Sequence, residues 1–189
     1  MSYQFAETGS SLGFIGARRG WGRGSFFGSF HLGPGEPLLD ARSEKKIATL
    51  QPWVQPIARK FIAALRSSGI DARVLSGTRS YDEQNALYAQ GRTKPGMRVT
   101  NARGGYSNHN FGIAFDIGIF AQGKYLPESP LYKQAGAIGK SLGLSWGGDW
   151  KTFQDQPHYE LRPAWAANLS ESAMLTEFRR RVAGGEQIA

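Results

Sequence analysis

The sequence has no cysteine, which removes disulfides and thiolate metal sites together, so any metal must be held by nitrogen and oxygen. Histidine is scarce, with three in 189 residues. No run reaches the apolar length needed to cross a bilayer. The opening residues, MSYQFAETGSSLGF, have neither a basic n-region nor an apolar h-region, so no secretory signal peptide is expected. Acidic residues are few, 15 against 23 Lys and Arg, and the net charge of +8 suits an anionic partner such as nucleic acid, an acidic membrane or a polyanionic wall. The cations are spread along the chain, however, and no basic stretch interleaves with stacking aromatics, which argues against nucleic acid. The densest cluster, Arg179–Arg180–Arg181, falls where a helix is expected to end and complements its dipole.

What is present suits one globular domain: 40% hydrophobic and 12% aromatic residues on a chain long enough to bury its own core. Residues 1–36 are expected to form an irregular arm, because GARRGWGRGSFFGSFHLGPG is glycine-rich and shows no period. The body is expected over residues 37–189. Ile47, Leu50, Val54, Ile57, Phe61 and Leu65 recur at three- and four-residue steps, one face of a helix that Pro52 breaks or restarts. IDARVLS (70–76) reads as a strand. Ser80 and Glu83 have the spacing of a capping box, with Gly91 placed to end that helix. Ser129 and Pro130 start another, with Leu131, Ala135, Ile138 and Leu142 on one side and Gly143 as its stop. A C-terminal helix over about 171–183 follows Ser170, burying Met174, Phe178 and Val182. Strands and helices mix without a βαβ rhythm, so the expected class is α+β with a small, mainly antiparallel sheet flanked by helices.

One stretch carries chemistry. SNHNFGIAFDIG (107–118) sets His109 seven positions ahead of Asp116, a carboxylate inside an apolar run. As one strand these two would lie roughly 23 Å apart on opposite faces; as one helix, roughly 10 Å apart along the axis. Gly112 offers a sharp turn instead, with His109 on one side of the bend and Asp116 on the strand leaving it. Ile113, Phe115, Ile117 and Ile119 would then face the core, while Ala114, Asp116 and Gly118 face a cleft. From this stretch alone, a loop-capping or arginine-paired Asp116 beside a hydrogen-bonded core histidine remains the alternative. Asp-Gln-Pro-His-Tyr-Glu (155–160) shifts the balance: Pro157 suits a strand start, and His158 and Glu160 share one face of that strand. Two histidines and one aspartate leave a coordination position open, the pattern of a catalytic metal site. Asp155 is a second carboxylate, placed to act on water there.

Four segments together resemble a known family: SGTRSYDEQNALYAQGRT (76–93), TNARGGYSNHNFGIAFDIG (100–118), LGLSWGGDW (142–150) and DQPHYELRPAW (155–165). They are similar to the VanY-like zinc peptidases that cut peptidoglycan stem peptides. These are the D-alanyl-D-alanine carboxypeptidases and the L-alanyl-D-glutamate endopeptidases, many phage endolysins among them. The resemblance covers roughly Ser43 to Trp165. It implies the fold shared by Hedgehog domains and D-alanyl-D-alanine peptidases, with one catalytic Zn²⁺ on His109, Asp116 and His158. Asp155 takes the acid–base position, where the carboxypeptidase branch carries glutamate and the endopeptidase branch aspartate. Arg79 is implied as the group steadying the substrate carbonyl, although local sequence equally allows it to pair with Asp82. Gln84, Ser107 and Trp150 are candidate substrate contacts, Ser107 and Glu160 candidate supports for the ligands, and Trp146 a wall or core residue.

The expected function is therefore zinc-dependent cleavage of the L-alanyl-D-glutamate bond of peptidoglycan, by a monomer delivered to the wall from the cytoplasm. Three other readings compete. A D-alanyl-D-alanine carboxypeptidase is the first, and a non-catalytic zinc-binding module the second. The third, a non-haem Fe(II) oxygenase, uses the same ligand types but sets its pair closer in sequence. If the arm shields the cleft, His31 could serve as a fourth ligand.

Overall fold

The computed structural model describes residues 39–189. The expected arm over residues 1–36, His31 included, lies outside the described residues. The first helix, α1 (Ala41–Ile47), begins because Asp40 accepts from the backbone N–H groups of Arg42 and Ser43, each at 3.0 Å. The apolar stripe from Ile47 to Leu65 is shared between α1 and α2 (Gln55–Ser67), with Pro52 in the connection. Its members Ile47, Leu50, Val54, Phe61 and Leu65 are all buried.

Strand β1 (Asp71–Ser76) follows, then α3 (Tyr81–Ala89), which has the capping box: the Ser80 hydroxyl accepts from the Glu83 N–H at 3.1 Å and the Ser80 N–H donates to the Glu83 carboxylate at 2.7 Å. A 3₁₀ turn (Asn108–Phe111) leads into β2 (Ala114–Ala121), β3 (Lys124–Leu126), α4 (Leu131–Ser141), β4 (Ser145–Trp146), β5 (His158–Glu160) and α5 (Glu171–Ala183).

All pairings in the sheet are antiparallel, as expected for the α+β class. β2 is central. β1 runs along one edge of it; β5 and β3 share the other, pairing its first and last residues, and β4 lies outside β5. Phe115, Ile117 and Ile119 of β2 are fully buried, as their alternation requires. On that side Phe61 of α2 meets Phe115 and Tyr159, with ring centroids 6.1 and 4.6 Å away. The helix face and the sheet thus enclose the core, and Asp116, His158 and Glu160 lie on the opposite face. α5 docks through Phe178, which stacks on Phe111 at 4.8 Å and meets Trp165 edge-on at 5.3 Å.

Two expectations need correction. Val182 is 51% exposed rather than buried, because the last turn of α5 overhangs the core and Arg181, not Val182, covers Trp165. Ala114 and Gly118 do not open the cleft beside Asp116. Ala114 is fully buried, and a Cβ on Gly118 would stand 2.6 Å from Leu75 and 2.9 Å from Tyr125, which cover it. The arginine cluster is a structural helix end: Arg180 and Arg181 pair with Glu177 at 2.8 Å, and Arg179 donates to the Gly105 carbonyl at 2.9 Å.

Candidate metal centre

Gly112 takes φ +68 at the end of the 3₁₀ turn, a conformation open to a residue without Cβ, and so swings the chain from His109 into β2. The bend brings His109 back over Asp116, and β5 sets His158 directly opposite Asp116 in register. His109 Nε2 lies 3.1 Å from Asp116 Oδ1, His158 Nδ1 lies 3.2 Å from the same oxygen, and the two nitrogens are 3.3 Å apart. Both rings are buried.

The outer nitrogens decide the tautomers. His109 Nδ1 faces the Gly77 carbonyl at 2.8 Å, an acceptor only, so Nδ1 carries the proton. His158 Nε2 faces the Glu160 carboxylate at 3.2 Å and is likewise the donor. With both rings neutral, the inner nitrogens turn lone pairs toward each other and toward a carboxylate oxygen. Three acceptors at this spacing repel unless a cation sits among them, and among the described residues these three could hold a metal ion. Burial opposes ionising Asp116, but the two imidazoles outweigh it and hold the carboxyl well below its ordinary range. Burial likewise opposes a charged His158, yet hydrogen bonds to Asp116 and Glu160 push its pKa up to about 10. The hollow attracts positive charge, whether a proton or a metal.

Arg79 pairs with Asp116 rather than with Asp82, its Nη2 donating to Asp116 Oδ2. A register shift in β1 between Val74 and Ser76 helps place it: the Ser76 hydroxyl, opposite Asp116, accepts from Arg79 Nε at 3.0 Å. Nη1 donates to the Gln84 side-chain oxygen at 3.2 Å. Three of the five guanidinium N–H groups are so engaged.

Gln84 does not contact the cleft. It is fully buried, and its amide nitrogen donates to Thr100 Oγ1 at 3.2 Å and the Ala102 carbonyl at 3.0 Å, so it braces Arg79 instead. Ser107 borders the cleft and starts the 3₁₀ turn that carries His109, its carbonyl accepting from the Asn110 N–H at 2.9 Å. Trp150 is 37% exposed at the cleft, its ring 5.0 Å from that of His158. Trp146 is core; its indole N–H donates to the Gln156 carbonyl at 2.8 Å and steadies the loop before β5.

Asp155 lies on that loop and borders a cleft of about 1350 Å³ shared with His109, Asp116 and His158. Its backbone N–H donates to the Gly147 carbonyl at 3.1 Å, and its carbonyl accepts from the His158 N–H at 3.2 Å. A Cβ on Gly147 would come within 2.4 Å of the Asp155 carbonyl oxygen, so only glycine permits this approach. Burial, then the neighbouring Asp116 charge, raises the Asp155 pKa. Sequence reasoning missed Asn108, Arg162 and Glu171, which cluster behind Glu160. Asn108 adjoins His109, but nothing local marks the other two.

A small antiparallel sheet presenting two histidines and an aspartate in an open cleft is the build of a hydrolytic metalloenzyme. Residues 100–161 match the family described as D-alanyl-D-alanine carboxypeptidase. The peptidoglycan L-alanyl-D-glutamate endopeptidase CwlK of Bacillus subtilis (strain 168) is 43% identical over 124 residues, 60% of this chain and 74% of that relative. The L-alanyl-D-glutamate peptidase of Listeria phage A118 is 32% identical over 124 residues, covering 64% of this chain but 41% of the phage protein. The solved L-Ala D-Glu endopeptidase ChiX of Serratia marcescens superposes with a TM-score of 0.50 at 27% identity, over 64% of this chain and 86% of that one. The chain belongs to this family of peptidoglycan peptidases, which includes D-alanyl-D-alanine carboxypeptidases and L-alanyl-D-glutamate endopeptidases.

Proposed function

We infer that the chain is a zinc-dependent endopeptidase that cuts the L-alanyl-D-glutamate bond of peptidoglycan stem peptides, with residues 37–189 as the peptidase domain. The convergence of His109 Nε2, Asp116 Oδ1 and His158 Nδ1 on one point of the cleft that Asp155 also lines carries this reading. The residues fit the ion: around tetrahedral zinc, bonds of about 2.0–2.1 Å put neighbouring donors roughly 3.3–3.4 Å apart, and the donors here are spaced 3.1, 3.2 and 3.3 Å. His109 Nε2, Asp116 Oδ1 and His158 Nδ1 would hold Zn²⁺, which when bound supplies Lewis acidity to water and to the scissile carbonyl.

The chain's own groups do the rest. Asp155, with its affinity for a proton raised by burial, takes the proton from the attacking water and passes it to the leaving amine. Arg79, fixed by Ser76, Gln84 and Asp116, offers its remaining N–H donors to the carbonyl oxygen as charge develops there. Trp150 forms an apolar wall beside His158, and Ser107 lines the same cleft. All these groups come from one chain, so a monomer suffices.

The site of action is the cell wall. No helix among the described residues is long and apolar enough to cross a membrane. The relatives' endopeptidase activity supports the L-alanyl-D-glutamate bond, while the family description favours the D-alanyl-D-alanine bond as the second reading. Mass spectrometry of digested muropeptides separates them: stem peptides beginning at D-glutamate indicate the first, free D-alanine the second. Intact muropeptides would leave the non-catalytic zinc module and the Fe(II) oxygenase.

A further inference from the structure

Asn108 is buried, 6% exposed, and its side-chain amide is used one-sidedly. Nδ2 donates to Glu160 Oε2 at 2.5 Å and to Glu171 Oε1 at 2.7 Å, whereas Oδ1 is buried without a partner among the described residues. The amide cannot be turned over, because its oxygen would then face two carboxylates. Buried acceptors are nearly always satisfied, so the fold forgoes one hydrogen bond to keep Glu160 and Glu171 bridged. Glu160 Oε2 is the same oxygen that receives His158 Nε2, at 3.2 Å. Arg162 balances the charge from behind: Nη2 donates to Glu171 Oε2, Nε stands 3.7 Å from Glu160 Oε1, and Nη1 donates to the Leu169 carbonyl at 2.9 Å. Glu171 opens α5 and lies beyond the family-matched segment, which ends at residue 161.

We propose that Glu171 is a positioning residue of the metal centre, reaching from the first turn of α5 through Asn108 and Glu160 to fix the ring and tautomer of His158. Glu160 alone can turn its carboxylate toward Arg162 and release the His158 N–H. Asn108 prevents this by holding Oε2. Glu171 in turn accepts the second N–H of Asn108, which makes the amide orientation one-way. The C-terminal helix, docked through Phe178, is thereby tied to the ligand set. The inference rests on the reading of His109, Asp116 and His158 as a zinc site.

An ordinary acid at a helix start would act on the helix dipole and on stability alone. Zinc affinity separates the two roles and is measured on the full chain by competition with a chromogenic chelator. Glu171→Ala is expected to raise the zinc Kd about 10-fold, the lower end for a group that orients a ligand through others. Asn108→Ala does the same, and the double variant loses no more than the larger single loss. Glu171→Asp keeps the charge at the helix start but draws the carboxylate back from Asn108; it weakens zinc binding too, and carries the test if the alanine variant does not fold. Melting of the zinc-free proteins reports the helix-start contribution separately. Wild-type zinc affinity in both Glu171→Ala and Glu171→Asp, or additive losses in the double variant, overturns the proposal while the zinc site stands. A wild-type chain that binds no zinc overturns the zinc reading and this inference with it.

Discussion

Replacing Asp155 with asparagine exchanges one carboxylate oxygen for an NH₂ group and leaves the side chain's size and the loop's backbone hydrogen bonds to Gly147 and His158 in place. Among the described residues the Asp155 carboxylate has no hydrogen-bond partner, so the exchange breaks no side-chain contact that holds the fold. Its raised pKa means that the folded state disfavours the charged form, through burial and the Asp116 charge. Asparagine relieves that cost, so the variant should melt at or slightly above the wild-type temperature and keep its zinc. What it cannot do is accept a proton from water or return one to the amine. A positioned acid–base group contributes about 10²–10⁴-fold, so the barrier should rise by about 2.7–5.5 kcal/mol. Muropeptide digestion followed by mass spectrometry gives the rate, elemental analysis the metal content and thermal melting the stability. Turnover near the wild-type rate would refute the role of Asp155; loss of zinc along with activity would show that the residue serves the metal site instead.

Two further outcomes can be checked. Gly147→Ala places a Cβ 2.4 Å from the Asp155 carbonyl oxygen and 3.0 Å from His158 Cβ and must shift the loop; an overpacking cost of about 1–3 kcal/mol in chemical denaturation, with kcat reduced, is expected, and an unaltered kcat would contradict the positioning of Asp155. Asp40→Ala removes the cap of α1 and should cost about 1 kcal/mol at pH 7. Burial raises the Asp40 pKa, but hydrogen bonds from the Ser43 hydroxyl and the cap N–H groups, with Arg73 nearby, outweigh it and leave the folded-state value below the ordinary one. A depressed carboxyl pKa contributes stability that is present above the unfolded-state value and lost as pH falls through the folded one. The gap between wild type and Asp40→Ala in urea denaturation should therefore narrow below about pH 4; a constant gap would rule out the ionised cap.

Much of the site could be read from short-range patterns. The alternation of Ile113, Phe115, Ile117 and Ile119 set the orientation of Asp116, and Gly112 marked the bend that returns His109 to it. The capping box at Ser80 placed α3 and, with it, Arg79. Long-range pairings were not legible. The partner of Arg79 is Asp116 rather than the adjacent Asp82, because burial of Asp116 beside the sheet demands a cation and strand register delivers it. Gln84 is expected as a substrate contact, but α3 turns it inward to brace Arg79. Glu171 looked like any acid at a helix start, since its bond to Asn108 depends on how α5 docks. Val182 followed the apolar spacing of Met174 and Phe178, yet periodicity does not say where the core beneath a helix ends.

Metal removal tests the central claim most directly. The purified full chain should contain about one zinc, exhaustive chelation should abolish digestion of bacterial sacculi, and stoichiometric zinc should restore it, while His109→Ala neither retains the metal nor recovers. Undiminished digestion by the chelated protein would contradict the account.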